Sequence, residues 1–185
     1  MYFRSRVAAA LAASTLVMGC GYGLVSSHDG ATITPVAVPL FENRTFEPFL
    51  DARVTERVRS RVASTAEWRL VSSPESAALV IRGAVIGFGV VTVSFDAANR
   101  PLEQRVAITA DITAAPREGA PFHGTFTATA EYLESADSLQ TRTAKNRAIE
   151  EAADNVANEL TARLSAHLLA RTATPRSIEP APAAP

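Results

Sequence analysis

The sequence predicts an α/β two-layer sandwich: a mixed, mainly antiparallel sheet with two amphipathic helices on one face, in the order β-α-β-β-β-β-α. Two observations carry that prediction. Three consecutive segments between Leu79 and Tyr132 alternate apolar and polar residues, the period of strands with one dry face and one wet face. Two other segments repeat apolar residues at helical spacing, one beginning near Leu50 and one near Ile149, so each has a stripe to bury against the sheet.

Ile33 to Leu40 is β-branched and apolar, interrupted by Pro35 and Pro39. Proline cannot donate to a ladder, so this strand is expected at a sheet edge, or with its proline nitrogens turned away from the paired side. Glu47-Pro48 is expected to open a helix, with Pro48 at the first helical position, where its missing N–H costs nothing. Leu50, Val54, Val58 and Val62 form one stripe. Arg53, Arg57 and Arg61 flank it and read as a solvated shoulder. Trp68 to Val71 is a short strand, and strand–helix–strand predicts a right-handed parallel crossover.

Leu79 to Phe95 is a long strand, beyond the usual range of about 3–10 residues. Gly87 and Gly89 are expected to mark a bulge or bend. Simple alternation puts Leu79, Ile81, Val85, Val91, Val93 and Phe95 on one face, with Arg82, Thr92 and Ser94 on the other. Asp96 to Pro101 is a turn. Leu102, Val106, Ile108, Ala110 and Ile112 then alternate with Glu103, Arg105, Thr109, Asp111 and Thr113. After a turn at Pro116 to Pro121, Phe122, Phe126, Ala128 and Tyr132 alternate with His123, Thr125, Thr127, Thr129 and Glu131. These three strands predict an antiparallel meander wet on one side. Asp137 or Ser138 can cap a last helix. Ile149, Ala152, Ala153, Val156, Leu160 and Leu164 are its buried stripe, and Glu150, Glu151, Asp154, Glu159 and Arg163 face out.

The ends of the chain have a different character. Arg4 and Arg6 precede an uncharged run, Val7 to Met18, and Val17-Met18-Gly19-Cys20 follows. The run is shorter than the roughly 20 apolar residues of a membrane span and reads as a secretory segment. Residues 1–19 are therefore expected to be a lipoprotein signal peptide. Cys20, the chain's only cysteine, would carry an N-acyl group and an S-diacylglycerol. Each buried methylene adds roughly 0.8 kcal/mol, so several acyl chains would hold the protein on a membrane. An aspartate after the cysteine retains enterobacterial-type lipoproteins at the inner membrane. Gly21 stands there, so the expected destination is the periplasmic side of the outer membrane. Residues 20–31 read as an acylated linker, 32–171 as a single sandwich domain and 172–185 as a disordered Pro/Ala-rich tail.

Composition excludes several functions. The formal charge is −1, and −3 without Arg4 and Arg6, so general binding of nucleic acid is not expected. With one cysteine no internal disulfide forms. There is no Gly-rich phosphate loop, no His-x-x-x-His pair and no Gly-x-Ser-x-Gly elbow. His28, His123 and His167 fall on a linker, the wet sheet face and the last helix, so no metal site is expected. His123 reads as an exposed strand residue and His167 as an end-of-helix residue favoured by the dipole. No cofactor and no catalytic residue are expected, and the chain does not read as an enzyme.

Particular segments resemble a known family. Cys20-Gly21-Tyr22-Gly23-Leu24 is similar to the mature start of LptE-type LPS-assembly lipoproteins. So is Val38-Pro39-Leu40-Phe41-Glu42-Asn43-Arg44-Thr45-Phe46-Glu47-Pro48 leading into a helix. Ala77-Ala78-Leu79-Val80-Ile81-Arg82-Gly83 resembles the family's approach to its long third strand, and the element order agrees from about Cys20 to Leu169. The resemblance implies a lipoprotein that plugs and helps assemble the LptD β-barrel translocon and binds LPS. LPS phosphates call for basic donors. Strand direction brings the first hairpin tip, the end of the last strand and the start of the final helix to one end of the sheet. Arg100 lies at that tip, and Arg142 and Lys145 in that helix start. The family is similar in placing anion-contacting residues in this region, so these three are the expected LPS contacts. Arg82 and Arg117 fall at the opposite end. A second reading stays open: a periplasmic regulatory or scaffold lipoprotein, such as an activator of a cell-wall synthase.

Overall fold

The structure is a computed structural model and describes residues 33–173, with side chains to Arg171. The expected signal peptide, Cys20 with its linker, and the Pro/Ala-rich tail beyond Ala173 lie outside the described residues.

The sandwich is as expected. One mixed sheet of six strands carries two helices, packed on each other and on one face of the sheet. The strands are β1 (Thr34–Ala37), β2 (Glu42–Asn43), β3 (Trp68–Val71), β4 (Leu79–Phe95), β5 (Pro101–Pro116) and β6 (Phe122–Leu133). Helix α1 (Leu50–Ser64) joins β2 to β3, and α2 (Ser138–Ala173) closes the chain. Strand order is β3-β1-β4-β5-β6, with β2 also on β4. The pairs β1/β3, β1/β4 and β2/β4 are parallel, and β4/β5 and β5/β6 are antiparallel.

The first strand departs from expectation. It is interior, between β3 and β4, and it ends at Ala37. The Pro35 carbonyl accepts from Ala78 N at 2.8 Å. Backbone N and C=O of one strand residue point the same way, so the missing donor faces β4. There the ladder begins only at Val36↔Leu79, and no bond is lost. Pro39 falls outside the strand. The chain leaves the sheet there and returns as β2, after Phe41 has turned inward. Gly83 makes that turn possible, because a Cβ there would sit 2.6 Å from the Phe41 ring.

Helix α1 starts two residues after Pro48. Phe49 adopts the left-handed conformation (φ 60°) and redirects the chain, and its carbonyl accepts the first helical bond from Arg53 N. Leu50, Val54, Val58 and Val62 are buried as expected, together with Thr55. The arginine shoulder is not simply solvated. Arg57 pairs with Glu150 (3.0 Å) and Asp154 (3.5 Å) of α2, and Arg53 with Glu150 (3.7 Å). Glu150 and Asp154 thus lean toward α1 while staying partly exposed, as expected of the outer side of α2.

In β4 the bulge is present, but its consequence differs from plain alternation. Register shifts between Val85 and Gly87, leaving Ile86 unpaired. A one-residue shift moves the side chains that follow to the other face, here as far as Thr92, after which the register shifts again. Phe88 and Val90 therefore pack against the core, opposite the buried Ile108 and Val106, while Val91 pairs with Arg105 on the polar side. Val91, Val93 and Phe95 are exposed. Thr92, opposite Gln104, has moved to the side of Phe88.

Strands β5 and β6 follow their predicted alternation, burying Val106, Ile108, Ala110, Ile112, Phe126, Ala130 and Tyr132. Asp137 caps α2, its Oδ1 accepting from Leu139 N at 2.8 Å. The whole predicted stripe of α2 is buried. The helix has 36 residues and runs to Ala173, past the expected domain boundary at 171. Length alone does not make it a membrane span: among the described residues no helix is long and apolar enough to cross one.

Candidate functional site

At the β4–β5 tip, the Asp96 carboxylate organises the turn. Its Oδ1 accepts from Ala98 N (2.8 Å) and Arg100 N (2.9 Å), and its Oδ2 accepts from Arg100 Nε (2.9 Å). Asn99 holds φ 58° in the middle of the turn, a value asparagine tolerates better than most residues. The backbone and side-chain bonds from Arg100 hold the Asp96 carboxyl below its usual range. Arg100 itself remains three-quarters exposed, so a guanidinium face is open to an anion.

Lys145 is placed differently. Its Nζ stands 3.3 Å from Glu47 Oε2 and 5.4 Å from the centre of the Phe88 ring, and the pair is only partly exposed. Arg142, one turn earlier, is exposed, and among the described residues it has no ion-pair partner. Arg142 and Lys145 are thus neighbours on α2. Arg100 is set apart from Lys145: Phe88 beneath Lys145 and Phe95 beside the tip are seven residues apart along β4, roughly 23 Å of strand. Arg100 thus stands at the hairpin tip while Arg142 and Lys145 lie together on α2, Lys145 over the middle of β4, and the structure does not bring the three expected contacts into one pocket. Arg117 lies at the other end, donating from Nε to Ala77 O at 2.8 Å.

The outer sheet face is a field of paired polar groups. Thr109 and Thr127 hydroxyls are 3.0 Å apart, Thr125 donates to Asp111 at 2.6 Å, and Arg105 pairs with Glu131 across β5 and β6. The Arg105 bond holds the Glu131 carboxyl below its usual range. At the inner rim, burial raises the Tyr132 hydroxyl, which donates to Gln104 at 3.2 Å.

The histidines do not converge. His123 is exposed on the outer face. His167 lies well inside α2, half-buried, with its ring 5.4 Å from that of Phe122, rather than at the helix end. Among the described residues no group of three or more His, Cys, Asp or Glu could hold a metal ion.

Sequence reasoning missed two exposed aromatics. Phe46 is fully exposed and Phe49 is 76% exposed, on the loop that Glu47 ties to Lys145. Their hydrophobicity alone assigns them to a core. The signal that places them outside is Pro48 between them, which forces a turn before the helix.

The family model described as "LptE: Lipopolysaccharide-assembly" matches residues 33–164, most of the chain. The chain belongs to the LptE family. LptE-family membership makes it a lipoprotein-type component of lipopolysaccharide assembly in the cell envelope. Solved structures share the fold. The rare lipoprotein B from Shewanella oneidensis is 12% identical, covering 75% of this chain and 99% of that one, with a TM-score of 0.52. Lipoprotein B from Nitrosomonas europaea is 9% identical, covering 75% and 86%, at 0.52. A hypothetical protein from Chlamydia trachomatis is 12% identical, covering 74% and 98%, at 0.51. At these identities the likeness is one of fold alone. No curated protein sequence matches this chain.

Proposed function

We propose that this LptE-family chain is an outer-membrane lipoprotein, anchored on the periplasmic side by acyl groups on Cys20. It plugs and helps assemble an LptD-type β-barrel and binds LPS on its way to the outer leaflet. The family match across residues 33–164 carries this reading. The wet sheet face supports it, because paired hydroxyls and ion pairs suit a hydrated lumen. LPS phosphates would meet Arg100 at the hairpin tip and Arg142 and Lys145 on α2. The chain's part is non-covalent: it binds and positions, and no catalytic residue or cofactor enters.

A mild-detergent pull-down of the full-length protein from its native membranes, read by mass spectrometry, tests the proposal. A near-stoichiometric outer-membrane barrel is the expected companion. A periplasmic cell-wall enzyme in its place would overturn the plug reading in favour of a scaffold.

A further inference from the structure

The two edges of the sheet are unlike. Strand β3 ends one side, is only four residues long and carries the exposed Arg69. A short, charged edge resists pairing with another chain. Strand β6 ends the other side. It has twelve residues, pairs with β5 without a register shift, and contains no lysine, arginine or proline. Its one acid, Glu131, is already paired with Arg105.

The ladder fixes which backbone groups of β6 are open. Glu134 N donates to Leu102 O at 3.0 Å, and bonded and non-bonded pairs alternate from there along β5 and β6. Tyr132 and every second residue back to Phe122 turn their N–H and C=O toward β5. His123, Thr125, Thr127, Thr129 and Glu131 turn theirs away from the sheet. Asn155 of α2 agrees with this parity, because its Nδ2 reaches the outward Thr129 O, at 3.4 Å. Among the described residues no hydrogen bond reaches the other outward backbone groups of these five residues. Open donors and acceptors at strand spacing are matched by another extended chain.

The sequence of β6 selects that chain. Laid antiparallel on a copy of itself about a two-fold axis at Thr127, the strand sets outward residues opposite outward residues. On the wet face Thr127 meets Thr127, Thr125 meets Thr129 and His123 meets Glu131, so hydroxyls face hydroxyls and an imidazole faces a carboxylate. On the inner face Phe126 meets Ala128 and Gly124 meets Ala130, larger against smaller. Moving the axis by one residue sets Phe126 against Phe126 or Ala128 against Ala128, and separates His123 from Glu131. The flank of α2 agrees. Asn155, Glu159 and Arg163 stand one turn apart beside this edge, Arg163 lying 5.3 Å over the Phe126 ring and pairing with Glu159. The same axis runs that row against its copy in reverse, Arg163 toward Glu159.

We propose that the β6 edge is an interface for a second copy of this chain, which pairs with it antiparallel about Thr127 and continues the sheet across a two-fold axis. The pairing goes beyond the plug reading and does not depend on it. It would cover an aggregation-prone edge in chains not seated in a barrel.

Sedimentation of the full acylated chain in mild detergent tests this. The wild type should behave as a reversible dimer. Thr127→Pro removes an outward N–H and no bond to β5, and Thr127→Lys places a charge on the axis. Each should raise the dimer dissociation constant about tenfold or more. Position 127 is exposed, so the lysine variant keeps the fold even if the proline variant does not. Cysteine substitution reads the register. Bonded partners would lie about 5.5 Å apart, within disulfide reach, so Thr127→Cys should cross-link 127 to 127 on mild oxidation, while Thr125→Cys should not cross-link to itself. A monomer at every concentration, a dimer that the folded lysine variant leaves intact, or self-cross-linking of Thr125→Cys in preference to Thr127→Cys overturns the proposal. Cross-linking of position 127 to a different protein in native membranes would give the edge to another chain and also overturn it.

Discussion

Lys145 is held by Glu47: the ammonium lies 3.3 Å from the carboxylate, at the point where α2 meets the loop before α1. A lysine that receives LPS phosphate from this position must leave its carboxylate partner. Glu47→Gln removes the competitor while keeping the loop's shape. Pairs of this kind are worth about 0.2–1 kcal/mol, so LPS affinity should rise by between about 1.4-fold and fivefold, while Lys145→Ala should lower it. Binding of the two variants to immobilised LPS checks this. A loss of affinity in Glu47→Gln comparable to that in Lys145→Ala would make the pair an orienting strut and remove Lys145 as a phosphate donor.

Thr55 ties the segment between β1 and β2 to α1. Its hydroxyl accepts from Phe41 N at 3.0 Å, donates to Asp51 O at 2.6 Å, and is buried. Thr55→Val keeps the volume and leaves the Phe41 N–H without an acceptor. Stranding a buried donor costs about 1–3 kcal/mol, which urea unfolding would read directly. Thr55→Ser should recover most of the loss. Equal stability of the Val variant and the wild type would mean that the Phe41 N–H finds another acceptor.

Much of the architecture was legible because β5, β6 and α2 each keep one period from end to end. Ile108 and Phe126 are buried where alternation puts them, and Leu160 where helical spacing puts it. What escaped lies where one residue resets the period. Ile86 inverts β4, so Val91 moves outside and Phe88 inside. Phe49 turns left-handed and delays α1 past Pro48. No composition rule reveals either, because both depend on which neighbour accepts the displaced chain. The candidate contacts were legible as cations, but not as paired cations. Glu47 lies 98 residues from Lys145 in sequence, and only packing of the loop on α2 joins them.

Acid should loosen the hairpin tip. The bonds from Arg100 hold the Asp96 carboxyl below its ordinary value of 3.8. A carboxylate depressed in the folded state contributes its full stabilisation above its unfolded pKa and loses it as pH falls through the lower folded value. The tip should therefore be intact at and above about pH 4 and release Arg100 only in stronger acid. NMR titration of the Ala98 and Arg100 amides should give a common midpoint below 3.8. A midpoint at or above that value would show that the Asp96 turn does not persist in solution.

Deleting Ile86 separates the bulged strand from a regularly alternating one. On β5, the partners of Val85 and Gly87 are Ala110 and Thr109, already consecutive. Removing Ile86 therefore closes a regular ladder without moving any later pair: Phe88 stays opposite Ile108, and Val90 opposite Val106. The deletion variant should fold with its melting temperature little changed, and with hydrogen-exchange protection kept through Val90. In a regular strand the same deletion would flip Val91, Val93 and Phe95 from one face to the other, with a loss of several kcal/mol from emptied core positions. Val91→Ser adds a second reading of the same strand. Val91 is 58% exposed beside Arg105, so the change should stay within about 0.5 kcal/mol of neutral. An unfolded Ile86 deletion together with a strongly destabilised Val91→Ser would return β4 to plain alternation.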